Sequence, residues 1–266
     1  MSLMDKFRMD GQVAVITGAG KGIGAAIARA FAEVGASVVI GARTEKDLQA
    51  VAAEVTALGS KALVVPTDVL DFAQLQHLAD RAMAEFGRID ILVNNAGGSP
   101  PKPVSQTSSR EFEMALRFNV TTAFEMSRIC APLMVDSAGG GNILNISSIA
   151  GHKPAPCFAA YGTAKSALSY LTLELAQEFA PRVRVNAIAV GSTRTDALNT
   201  VLTDEIEQTM VELTPMARLG EVEDIALGAL YLCSNAASYV TGDILCVNGG
   251  MERLNMQMPR AWGGSG

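Results

Sequence analysis

Residues 13–24 read VAVITGAGKGIG and run straight into an alanine-rich stretch. A short β-branched run, then glycines at 18, 20, 22 and 24, predicts a buried strand, a tight turn and the start of a helix. Beyond the turn, Ile23, Ile27, Ala30, Phe31 and Val34 recur at helical spacing. Gly18, Gly22 and Gly24 suit a tight turn, close approach of the main chain to a pyrophosphate, and close helix-to-strand packing, and the helix N-terminus attracts the anion. Gly20, Lys21 and Ile23 belong to the same turn. A glycine turn that binds nothing is the alternative, and the strand-turn-helix context speaks against it.

Working outward, the same kind of short run recurs at residues 37–41, 62–66, 89–93, 142–146, 183–190 and 244–247. Helical patterns separate them, such as Leu168, Leu171, Leu175 and Phe179. Strand alternating with helix predicts an α/β fold: a doubly wound, seven-stranded parallel sheet with helices on both faces. Nothing marks a second domain, so residues 1–266 are read as one. Ligands in such sheets sit at the carboxyl ends of the strands, so loops 97–109 and 151–156 are expected to line the site. Residues 192–214 are read as a substrate lid and 251–266 as a C-terminal tail, of which the stretch after Trp262, like Met1–Leu3, is left out of the fold argument.

Composition narrows the function. The chain has a net charge of −6, and no Lys or Arg run exceeds two residues, so nucleic acid and anionic membrane are not expected partners. A small-molecule substrate is. Four cysteines without paired spacing argue against a disulfide framework or zinc site and fit a reducing cytoplasm. His77 and His152 have no companion ligands, so no metal is expected. With no signal-like N-terminus and no run of 18 apolar residues, the chain is read as neither exported nor membrane-spanning.

The turn after strand two discriminates between nicotinamide cofactors, because a carboxylate there would bond the ribose hydroxyls and repel a 2′-phosphate. It reads Gly41-Ala42-Arg43-Thr44. Arg43, with Thr44 beside it and Lys21 as a second cation, favours NADP(H) over NAD(H); both cations as ordinary surface charges are the alternative. Asp68 and Val69 end strand three where an adenine ring would lie. Asn95, Ala96 and Gly97 follow strand four with small residues beside the cofactor path.

Tyr161 and Lys165 stand four apart in AYGTAKSALSYL and so share a helix face. A nearby ammonium favours the tyrosinate, which makes Tyr161 a candidate acid/base. Ser148 ends strand five, thirteen residues upstream.

TGAGKGIG, Asp68-Val69, NNAG, Asn119, Ser148, YGTAK and VNAIAVG occur in an order and spacing that resembles the short-chain dehydrogenase/reductase family from about residue 9 to 250. The resemblance implies a Rossmann-type fold and a homotetramer built on helices at 108–136 and 160–179 and on the last strand. It implies that Ser148 polarises a carbonyl, Tyr161 moves the proton, Lys165 holds the nicotinamide ribose and tunes Tyr161, and Asn119 anchors a water relay. Thr193 and Thr195 would offer hydroxyls to the cofactor. Where the family usually has Pro-Gly after strand six, this chain has Val190-Gly191, which is expected to free that loop. The substrate segments, PPKP, TDAL, EIEQ and RLG, are similar to those of bacterial hydroxysteroid dehydrogenases. Pro154, Ala155, Pro156, Phe158, Val190, Leu198, Val201 and Leu202 are expected to line a pocket for a bulky hydrophobic alcohol or ketone. The competing substrate is a 3-oxoacyl carrier-protein thioester, whose acidic carrier would need a basic surface; residues 131–142 carry Asp136 and no cation, though Arg182 and Arg184 remain available. A non-catalytic dinucleotide-binding regulator would retain the glycine turn but would have lost Ser148, Tyr161 or Lys165.

Overall fold

The computed structural model describes residues 2–200 and 202–260, without the side chain of Ala197; Val201 and Trp262 therefore lie outside the described residues. Seven parallel strands run β1 (Val13–Thr17), β2 (Ser37–Ala42), β3 (Ala62–Pro66), β4 (Ile91–Asn94), β5 (Gly141–Ser148), β6 (Val183–Val190) and β7 (Ile244–Val247). They lie side by side in the order β3-β2-β1-β4-β5-β6-β7. β1 pairs with β2 through Val15↔Val39 and with β4 through Val15↔Leu92, so successive crossovers leave β1 in opposite directions and open a crevice at its carboxyl end.

Alternation of side chains divides the core between the two faces. On one face, α1 (Gly22–Glu33), α2 (Glu45–Ala57) and α9 (Val222–Cys233) cover Ile16, Ile40, Val93 and Ile188. Phe31 of α1 is fully buried there, and its truncation to Ala would cost roughly 3–5 kcal/mol. On the other face, α3 (Phe72–Phe86), α5 (Thr122–Ala138) and α6 (Ala159–Phe179) cover Val15, Val39, Leu92 and Val185. Two short helices, α7 (Asp196–Asn199) and α8 (Asp204–Glu212), follow β6. Among the described residues no helix is long and apolar enough to cross a membrane.

The continuous helix expected over 108–136 is divided. α4 (Ser109–Leu116) gives way to a wider π turn over Arg117–Thr121 before α5 begins. The Thr122 N–H reaches back five residues to the Arg117 carbonyl, and the Asn119 side chain donates to the Ala115 carbonyl at 2.8 Å. An extra residue in a helix displaces main-chain hydrogen bonds, and here the Asn119 amide meets a displaced acceptor.

Val190 also departs from expectation. It is buried as the last residue of β6, pairs with both Ser148 and Val247, and is followed by a Gly191 N–H bonded to the Val247 carbonyl at 2.9 Å. Valine at this position extends the sheet instead of loosening the loop.

Candidate active site

The turn after β1 is shaped by its neighbours as much as by its own sequence. Gly18 has φ +66°, and a Cβ there would lie 2.8 Å from Asn95 Nδ2, so the position demands glycine on both counts. Asn95 Nδ2 donates to the carbonyls of Thr17 and Gly18, both at 3.0 Å, while Thr17 Oγ1 accepts from the N–H groups of Asn95 and Ala96. The Asn95 amide is thus spent on holding the turn, and it is the small profile of residues 95–97 that opens the crevice.

One cavity of about 390 Å³ is lined by Gly18, Gly20, Lys21, Arg43, Thr44, Asp68 and Val69. Asp68 Oδ1 also accepts from the Leu70 N–H at 3.0 Å, which folds the end of β3 into a tight turn. A residue that the sequence pattern had not marked enters this cavity: Asp47, from the first turn of α2, lies 3.3 Å from Lys21 Nζ. The turn after β2 carries no carboxylate, but Lys21 is paired with one, while Arg43 forms no ion pair among the described residues.

A second cavity, of about 810 Å³, shares Lys21, Asn95 and Gly97 with the first and extends to Gly22, Ile23, Ser148, Tyr161, Lys165, Thr193 and Thr195. The expected constellation therefore assembles from β5, α6 and the loop after β6. Thr195 Oγ1 caps α7, and Thr193 Oγ1 donates to the Gly191 carbonyl at 3.2 Å. Ser148 Oγ accepts from the Ala150 N–H at 3.2 Å, which fixes its rotamer.

Lys165 is 4 % exposed, and its Nζ donates to the Ile146 carbonyl at 2.7 Å. Burial lowers its pKa to about 8. Its Nζ lies 5.8 Å from the centroid of the half-buried Tyr161 ring. Removal of the phenol from solvent pushes the Tyr161 pKa above its ordinary 10, and the hydrogen bond with Ser148 only partly opposes this. The depressed Tyr161 pKa expected from a neighbouring ammonium is not what this geometry yields, because desolvation of the phenol dominates.

Asn119 sits 1 % exposed behind Gly97 and Gly98. Its Oδ1 accepts from the Gly98 N–H at 2.8 Å, and its Nδ2 donates to the Gly98 and Ala115 carbonyls at 3.0 and 2.8 Å. A Cβ on Gly97 would lie 2.7 Å from Asn119 Oδ1 and 3.1 Å from Lys165 Nζ. Both amide protons of Asn119 are thus occupied, and the side chain ties the loop after β4 to the π turn.

Phe158, Val190 and Leu198 line the cavity as expected, but Pro154, Ala155 and Pro156 line a separate groove beside Tyr170, and Leu202 touches neither. Pro100, Pro101 and Met256 supply apolar wall in their place. Met256 belongs to the C-terminal tail, where neither periodicity nor a motif marks it. Arg182 and Arg184 lie at the amino end of β6, at the opposite end of the strands from the site, and Arg184 is committed to the carbonyls of Val240, Leu232 and Ser234. Among the described residues no group of three or more His, Cys, Asp or Glu side chains could hold a metal ion, and all four cysteines are free thiols.

Comparison with known proteins adds to this geometry. The family model for enoyl-(acyl carrier protein) reductase matches residues 18–252. An uncharacterised oxidoreductase of Mycobacterium tuberculosis is 46 % identical over 258 residues, covering 97 % of this chain and 98 % of that protein. The 7α-hydroxysteroid dehydrogenase of Escherichia coli K12 is 44 % identical over 253 residues, covering 94 % and 98 %. A solved structure of 7α-hydroxysteroid dehydrogenase complexed with NADH and 7-oxo glycochenodeoxycholic acid superposes with a TM-score of 0.91 at 44 % identity, over 94 % of this chain and 98 % of that one.

Proposed function

The chain belongs to the short-chain dehydrogenase/reductase family, oxidoreductases acting on CH–OH groups, and on that premise we propose that it interconverts a bulky hydrophobic ketone and its secondary alcohol with NADP(H). The observation that carries this reading is the sharing of one cleft by Ser148, Tyr161, Lys165 and the glycine turn at Lys21, Gly22 and Ile23.

An extended dinucleotide fits the two joined cavities. The adenosine half would lie against Arg43, Thr44, Asp68 and Val69, the pyrophosphate over Gly18 to Gly24, and the nicotinamide half beside Gly97, Thr193 and Thr195. When bound, the coenzyme supplies or accepts the hydride at the reacting carbon. Ser148 Oγ donates to the substrate oxygen, and Tyr161 donates its proton there as the ketone is reduced. In oxidation Tyr161 takes that proton back. A phenol with its pKa at or above the ordinary value is protonated at neutral pH and so is available as the proton donor for reduction. Lys165 holds the ribose hydroxyls and adds positive charge near the phenol. Asn119 acts through Gly97 and Gly98, and a relay water would use the remaining lone pair of its Oδ1.

Preference for NADP(H) is supported by Arg43, which forms no ion pair among the described residues and whose guanidinium matches a 2′-phosphate. The 44 %-identical relative is complexed with NADH, so the preference is a property proposed for this chain's own residues. The bulky substrate is supported by the apolar lining from Pro100, Pro101, Phe158, Val190, Leu198 and Met256, by the cleft volume of about 810 Å³, and by the steroid-directed relative. An acyl carrier protein is disfavoured. Arg184 is committed elsewhere, Lys102 pairs with Glu111 at 2.6 Å, and Arg194 pairs with Glu207 and Glu221, so these cations are not free to meet an acidic partner.

Residues 192–214, with α7 and α8, are read as the lid. Exposed Met114, Phe124, Tyr170 and Leu173 on α4, α5 and α6 favour self-association as a homotetramer, which light scattering would test. Free cysteines fit a reducing compartment such as the cytoplasm. The decisive experiment follows NADPH absorbance with steroid, monocyclic, short aliphatic and 3-oxoacyl thioester substrates. Turnover strongest on the fused-ring ketone is expected; strong preference for the thioester would overturn the substrate assignment, and no turnover on any would overturn the reaction.

A further inference from the structure

Among the described residues the segment after β7 has no helix or strand, yet one of its side chains is deeply buried and fully hydrogen-bonded. Asn255 is 1 % exposed. Its Nδ2 donates to the Met210 carbonyl at 3.0 Å and to Thr214 Oγ1 at 2.9 Å, and its Oδ1 accepts from Ser192 Oγ at 2.5 Å. Met210 belongs to α8, Ser192 to the loop after β6, and Thr214 to the loop after α8. Further along, the Pro259 carbonyl accepts from Cys157 Sγ at 3.6 Å, just ahead of α6. The segment therefore runs from α8 to the entrance of α6, past the cleft whose wall Met256 joins. A free terminus that merely frays does not bury a fully bonded amide. Immediately beside the anchor, Met256 faces the cleft and is its only wall residue from this segment among the described residues.

We propose that residues 251–260 form a strap closing the substrate cleft, with Met256 as a specificity-determining side chain and Asn255 as the positioning residue that holds it there. The inference rests on the ketone reductase reading for its substrate class and deepens it. The side chain that limits the size of the ketone comes from the tail, not from the loops of the parallel sheet. Methionine suits that position because its unbranched thioether packs against irregular apolar shapes such as fused rings.

The test combines turnover with proteolysis on the full-length protein. Met256→Ala is expected to raise the ratio of kcat/KM for a fused-ring ketone over cyclohexanone about tenfold, and Met256→Phe to lower it about tenfold, since a small volume change in an apolar pocket is worth about that much. The NADPH dissociation constant should stay within about twofold. Asn255→Ala is expected to raise KM for both ketones about tenfold with kcat largely retained, and Ser192→Ala, which removes one of the three bonds, to do the same to a smaller extent. Arg253 is exposed at the base of the strap. Trypsin should cut there faster in Asn255→Ala than in the wild type, and saturating fused-ring ketone with NADPH should slow the cut. An unchanged substrate ratio in both Met256 variants, or equal cleavage rates in wild type and Asn255→Ala, would overturn the proposal. A wild type that reduces no ketone would sink the reaction assignment instead, and the cleavage rates would still decide whether the strap is docked.

Discussion

Lys165 donates its buried ammonium to the main-chain carbonyl of Ile146 at 2.7 Å, so the strand that ends in Ser148 also holds the cation beside Tyr161. Burial lowers the Lys165 pKa to about 8 from 10.5. Between those values the unfolded chain binds the proton and the folded chain does not, so this group makes the protein more stable as pH rises from about 8 to about 10.5. Below about 8 both states are protonated and the full penalty of burying the charge is present. The Tm advantage of Lys165→Met over the wild type should therefore shrink as pH is raised through that window. A difference that does not vary with pH would mean that the ammonium is not desolvated.

Tyr161→Phe keeps the ring beside Phe158, 6.4 Å between centroids, and removes only the hydroxyl. Ketone reduction should fall by roughly 10²- to 10⁴-fold, with the NADPH dissociation constant unchanged by fluorescence titration. With a Tyr161 pKa raised above 10, wild-type reduction should persist across neutral pH and decline only on the alkaline side, while alcohol oxidation should rise with pH. Retained kcat in the variant would remove Tyr161 from the proton transfer.

Arg43 and Asp47 line one cavity and should act in opposite directions on coenzyme choice. Arg43→Asp should shift the preference from NADPH toward NADH by repelling the 2′-phosphate. Asp47→Asn frees Lys21, whose Nζ lies 3.3 Å from the carboxylate, and should tighten NADPH several-fold and more than it tightens NADH. Both changes read directly as ratios of dissociation constants. Equal affinities for the two coenzymes in the wild type would end this line of argument.

Much of this was legible from residues 13–24 outward, because β-branched runs and glycine turns act over short distances in the chain. All seven strands were readable for that reason, as was the meeting of Ser148 with Tyr161 and Lys165. Features set by a single inserted residue or by long-range packing were not. The helix expected over residues 108–136 came from the family resemblance, and nothing in the sequence pattern registers that the turn around Asn119 is widened into a π turn. Asp47 looks like an ordinary acidic residue in the first turn of a helix until α2 is set beside Lys21. Pro154 and Pro156 flank the right helix but face outward, whereas Met256 enters the cleft from a segment with no periodicity.

The contact of Gly97 with Asn119 and Lys165 offers the sharpest test of how the site is held. A methyl on Gly97 would be forced to within 2.7 Å of Asn119 Oδ1 and 3.1 Å of Lys165 Nζ, so Gly97→Ala should displace the ammonium and lower kcat/KM by roughly 10- to 100-fold through misplacement of a reacting group. Asn119→Ala leaves the Gly98 N–H and the Ala115 carbonyl without their partner, which should cost about 1–3 kcal/mol of stability. Combining them removes the oxygen against which the new methyl collides. The double variant should therefore be less impaired than the sum of the two changes, with a coupling energy of about 0.5–3 kcal/mol in a double-mutant cycle on kcat/KM. Strict additivity would show that Gly97 matters only for its backbone and that Asn119 does not press on the site through it.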